Sequence, residues 1–169
     1  MPRDITDEEA TRKSRQDEAQ GKSPSTQAGE FVREEMHHIR EGKHGARSPQ
    51  QAMAIGLSKA RRAGVKLPPP RRGQSTRTHR QQAQGDLARG RNRRRRTSAR
   101  RSSAVSGALK REAHSAASHA SLSRQARRVA RRRGSASRHR AAIRAVRTKG
   151  HAGLRRAARK AARTRAKRS

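Results

Sequence analysis

The sequence predicts a chain that is mostly disordered, with short α-helices, a small α-helical hairpin in the middle and no β-sheet. Three observations carry that expectation. Lys and Arg number 46 against 12 for Asp and Glu, a net charge of +34 over 169 residues, and self-repulsion of that size opposes a compact state. Leu, Ile, Val and Phe together number 16, well under the roughly one-fifth share below which a highly charged chain fails to offset the entropy of ordering. Trp, Tyr and Cys are absent and Phe31 is the only aromatic residue, which removes disulfides, thiol chemistry and Cys-based zinc sites.

The charge is unevenly placed. Residues 1–41 hold ten acids and seven basic residues, residues 42–70 hold six basic residues and no acid, and residues 71–169 hold 33 basic residues against Asp86 and Glu112. That asymmetry divides the chain into an acidic, weakly helical or disordered head (1–28), a helical hairpin module (29–67) and a disordered arginine-rich arm (68–169).

In the head, Thr6 stands at a capping position with Asp7, Glu8 and Glu9 in the following turn, where the helix dipole favours negative charge. The stretch from Ala10 to Ala19 has no apolar stripe to dock it, and Gly21 to Thr26 reads as a flexible linker. In the module, Val32, Met36 and Ile39 fall at i, i+4 and i+7 with Phe31 beside them, and Gly42 supplies a stop. Ser48-Pro49-Gln50-Gln51 then forms a capping box, followed by Ala52, Met53, Ile55, Leu57, Ala60 and Ala63 at helical spacing. Gly64 and the run Pro68-Pro69-Pro70 end the segment. The spacing predicts antiparallel helices at about 29–41 and 49–63. A pair this small is marginal alone, so self-association through residues 29–67 or docking on nucleic acid would supply the missing burial.

The arm opens as low complexity from Arg71 to Arg96. Nascent helices are predicted near 121–133, 138–149 and 152–167. Leu122, Ala126 and Val129 share one face of the first, Ala142, Ile143 and Val146 mark the second, and Leu154, Ala158 and Ala161 mark the third. Alanine and arginine favour helix, while closely spaced like charges oppose it until a phosphate backbone relieves the repulsion.

Chemistry follows from the arm. Of its 33 basic residues 29 are arginine, whose planar guanidinium grips phosphate oxygens in pairs. Its net +31 matches roughly 50 Å of duplex at one charge per about 1.7 Å. Without aromatic platforms for stacking and without a zinc-finger, RNA-recognition or cold-shock motif, contacts fall on the backbone rather than the bases. The residues expected at the phosphates are Arg93, Arg94, Arg95, Arg96, Arg100, Arg101, Arg127, Arg128, Arg131, Arg132, Arg133, Arg155, Arg156 and Arg159.

Other chemistries fit poorly. His37 and His38 are adjacent on a helix and point in different directions, and His44 lies in a loop, so no metal site is predicted. No phosphate-cradling glycine loop is present, and the composition offers no dry, rigid pocket. The chain is expected to be a non-enzyme without a catalytic residue or cofactor. No run of 18 apolar residues occurs and Met1 to Ile5 begins none, which argues against a membrane span or secretory signal.

Met36 to Gly64 resembles a family of small, basic bacterial proteins whose pattern is a Met-His helix end, a Lys/Gly-rich loop, then S-x-x-Q-A-x-A-I-x-L-S-x-A-R-x-A-G. The matching residues are Ser48, Gln51, Ala52, Ala54, Ile55, Leu57, Ser58, Ala60, Arg61, Ala63 and Gly64. The loop from Gly42 to Arg47 is shorter than that family's. Its members are loosely described as DNA-binding or plasmid-maintenance factors, so the resemblance implies a bacterial cytoplasmic setting. It covers about residues 30–67 and leaves the arm aside.

The expectation is a nucleoid-associated or linker-histone-like protein that condenses duplex DNA by charge neutralisation, without sequence preference. RNA or ribosome association is the runner-up. A membrane-active role for the basic amphipathic segments and a protein-binding scaffold built on the hairpin are the alternatives from other classes.

Overall fold

Small side chains, rather than large aliphatic ones, fill most of the interior. The computed structural model describes residues 5–92 and 98–166. Among them it contains seven α-helices, one 3-10 turn and no strand, with only an isolated bridge joining Arg72 to Ser75. The expected mostly disordered chain is thus corrected to an all-helical one. A count of Leu, Ile, Val and Phe passes over the 29 alanines, which carry the lowest intrinsic cost of helix formation and let helices approach closely. The chain divides into two compact units, Met1–Ser123 and Arg124–Ser169.

In the first unit α1 (Ile5–Ala19) packs along α2 (Pro24–Arg40). Its docking face is Ala10, Ser14 and Asp17, all buried, spaced i, i+4 and i+7 on one side of the helix. The expectation of an undocked head misses this face because two of its three residues are polar. Asp17 is held by Lys22 Nζ at 2.6 Å. The supposed linker contributes Ser23 as N-cap residue and Pro24 as the first residue of α2.

Helix α2 is covered on two sides. Met36 and Ile39 meet Ala46, Ala52, Ala116 and Ala117 in one apolar cluster. Phe31 and Ala28 meet Ala10, Ala60 and Val65 in the other. Helix α3 (Pro49–Arg62) starts at Ser48, whose Oγ accepts from the Gln51 N–H at 3.2 Å, while Gln51 Oε1 accepts from the Arg47 N–H at 2.9 Å. It crosses α2 at Gly56, where a Cβ would stand 2.7 Å from Val32 Cα. In the last turn of α3 the buried Arg61, 7 % exposed, donates through its guanidinium to the Leu67 and Pro68 carbonyls at 3.2 and 3.4 Å. It thereby fixes the turn into the proline run. Burial lowers the Arg61 pKa from its ordinary value, with Asp86 opposing the shift.

The burial that the hairpin lacks comes from the same chain. Helix α4 (Arg77–Arg91) packs on α3, and its buried Asp86 accepts from Ser58 Oγ at 2.6 Å and from Arg89 at 3.3 Å. Helix α5 (Ala99–Lys110) buries no residue, and the 3-10 turn His114–Ala117 closes against α2 through Ala116 and Ala117. The expected low-complexity opening of the arm is therefore structured, with Thr76 capping α4 by accepting from the His79 N–H at 3.3 Å. Both acids of the arm serve this packing, since Glu112 pairs with Arg47 at 3.4 Å.

Helix α6 (His119–Arg132) begins with Leu122 packed on the Met36 cluster, and the boundary between the units falls within it. Helix α7 (Gly134–Ala166) is interrupted at Gly150, whose φ of 63° and ψ of 171° are not helical. Beyond Ser123 the expected disorder is again replaced by helix, and no described residue there is buried.

Candidate nucleic-acid interface

Residues 124–169 contain 19 basic residues and no acid, so intrahelical ion pairing cannot neutralise them. Their placement follows from helical spacing. On α6, Arg124, Arg127, Arg128 and Arg131 fall at i, i+3, i+4 and i+7 with Arg132 alongside, a continuous basic stripe. Leu122, Ala126 and Val129 lie on the opposite side. Before the Gly150 break in α7, Arg140, Arg144 and Arg147 repeat the stripe at i, i+4 and i+7. After it, Arg155, Arg156, Arg159, Lys160 and Arg163 form another, with Leu154, Ala158 and Ala161 elsewhere on the circumference. Every one of these basic side chains is exposed.

The expected phosphate contacts thus fall in three places. Arg127, Arg128, Arg131 and Arg132 share the α6 stripe, with Arg133 exposed at the break after it; Arg155, Arg156 and Arg159 share the last stripe of α7. Arg100 and Arg101 stand exposed in the first turn of α5, where the positive end of the helix dipole repels cations and favours a bound anion. Arg93, Arg94, Arg95 and Arg96 lie outside the described residues.

One basic feature went unread in the sequence. A groove beside the proline run gathers Arg72, Arg77, Arg80, Gln81 and Gln84 against Pro69 and Pro70. It opens onto the first turns of α4, the end of a helix that attracts anions. Only the fold of 68–84 brings these residues together, and low-complexity composition gave no sign of it.

A second grouping was also missed. Glu35 and His38 on α2 are 0 % and 2 % exposed, and His44 folds back over them from the following loop. His44 Nε2 lies 3.4 Å from Glu35 Oε1, and ligating atoms of Glu35, His38 and His44 all lie within 4.8 Å of one another. Lys59 of α3 reaches Glu35 Oε2 and Asp7 Oδ1, each at 3.1 Å. Burial opposes the Lys59 ammonium, but the two carboxylates outweigh it and raise its pKa above the ordinary lysine value. His37 does point elsewhere, to Glu41 at 2.9 Å on the surface.

No curated protein and no solved structure matches the chain. Residues 23–71, which run from the cap of α2 through α3 and the proline run, match the model of a family of unknown function, DUF6496.

Proposed function

We propose that the chain binds duplex DNA without sequence preference, chiefly through the arginine stripes of residues 124–166, as a nucleoid-associated or linker-histone-like protein of the bacterial cytoplasm. The observation that carries this reading is the run of exposed arginine stripes on α6 and α7 with no acidic residue anywhere in 124–169. A polyanion is the natural counterion for such a surface. Arginine-bearing helices fit the phosphate rails beside a major groove about 12 Å wide. Alanine and arginine leave few groups to discriminate between base pairs, so the contacts position the protein and do not specify sequence.

Fluorescence anisotropy with two unrelated duplexes of equal length, and with a structured RNA as competitor, tests the reading. The full chain binds both duplexes alike and is displaced from them poorly by RNA at matched salt. The variant R124Q/R127Q/R128Q/R131Q lowers the salt slope by about four, near one per phosphate contact removed. Strong preference for one duplex, or easy displacement by RNA, refutes the proposal.

A further inference from the structure

We infer that Glu35, His38 and His44 form a binding site for a divalent transition cation of the zinc class. His44 Nδ1 stands 3.2 Å from the Gly45 carbonyl oxygen. A carbonyl only accepts, so Nδ1 carries a proton, and in the tautomer protonated there alone Nε2 presents its lone pair to Glu35 Oε1 at 3.4 Å. Two acceptors then face each other in a buried place: Glu35 Oε1 has no hydrogen-bond partner, while Oε2 pairs with the Lys59 ammonium at 3.1 Å. A cation between them resolves the conflict. With metal–ligand bonds of about 2.0–2.1 Å, the edge of a tetrahedral site measures about 3.3–3.4 Å, close to the separation seen.

The surroundings fit. Asp7 and Glu35 share one ammonium, that of Lys59, and a third carboxylate, Glu34, lies with its Oε1 3.1 Å from His38 Nε2. With neutral imidazoles this leaves two negative charges, the complement of a divalent ion. Lys59 pairs with Glu35 through Oε2 and leaves Oε1 for the metal. Imidazole ligands select zinc, copper, nickel or iron over magnesium and calcium, which prefer an all-oxygen shell. A backbone carbonyl holding the distal N–H of a ligating histidine is the usual outer-shell support. Three protein ligands leave a fourth position open. All three, with Lys59, lie within the 23–71 segment, and the ion would tie the loop carrying His44 to α2.

The test uses the full chain, untagged and freed of metal, titrated with zinc at neutral pH by calorimetry and with cobalt(II) by visible absorption. One equivalent of zinc binds with a dissociation constant in the micromolar range or tighter, and cobalt gives the intense bands of tetrahedral nitrogen–oxygen ligation. H44Q and H38Q each weaken zinc binding by about a hundredfold or more, while H139Q, which alters an exposed arm histidine, leaves it unchanged. Far-UV circular dichroism verifies that each variant is folded, and the cobalt spectrum of the unaltered chain needs no variant. Binding no tighter than millimolar, an octahedral cobalt spectrum, or a folded H44Q that binds like the parent overturns the inference.

Discussion

Gly56 and Gly29 test the small-residue packing at the scale of one methyl group. A Cβ at position 56 would meet the α2 backbone at Val32, whereas one at position 29 meets nothing within 4 Å. Backbone cannot swing aside as a flexible side chain does, so G56A costs about 1–3 kcal/mol. G29A, on the open side of the same pair, gains about 0.5–1 kcal/mol by lowering the entropy lost on folding. Urea denaturation checks both; equal midpoints for the two variants contradict the crossing. Lys59 supplies a pH signature. Its folded-state pKa is raised above the ordinary lysine value of 10.5, so the folded protein holds that proton more tightly than the unfolded chain. Its contribution is fully present below that value and lost as pH rises through the folded pKa. K59R keeps its charge at high pH, so its stability falls less than the parent's above about pH 10. Parallel alkaline profiles contradict the Lys59–Glu35–Asp7 pairing.

Helices α6 and α7 are built from residues with high helical propensity and held back by their own charge. Arg124 with Arg128, Arg127 with Arg131, and Arg155 with Arg159 are like-charge i, i+4 pairs, each unfavourable by about 0.2–0.5 kcal/mol at low salt. Screening shortens to about 3 Å at 1 M salt, so far-UV circular dichroism of the full chain shows helicity rising with added sodium chloride. Helicity that falls with salt contradicts this account. The same elements mark what the sequence makes legible. The cap at Ser48, the stop at Gly64 and the three helical segments of the arm are written in local patterns of serine, glycine and 3.6-residue spacing. The docking of α1 and α4 is not, because Ala10, Ser14 and Ala83 look like surface until a neighbouring helix covers them. Of the candidate sites, the exposed arginines are legible from charge alone. The Glu35–His38–His44 grouping is not, since it needs the loop after α2 to fold back, and sequence spacing says only that adjacent histidines diverge.

Across the whole molecule the charge is split between two kinds of structure. The first unit carries 27 basic residues and all 12 acids, several of them consumed in packing; the second carries 19 basic residues and no acid. If binding is driven by release of counterions from phosphate, the second unit sets both affinity and salt dependence. Among the described residues no helix is long and apolar enough to cross a membrane. The central claim is tested most directly by the affinity of the full chain, and of a chain ending at Ser123, for two unrelated duplexes across a salt series. The account predicts a steep fall in affinity with salt for the full chain, equal on both duplexes, and loss of most of that slope and affinity in the shortened chain. Comparable binding by the chain ending at Ser123, or a shallow slope for the full chain, contradicts it.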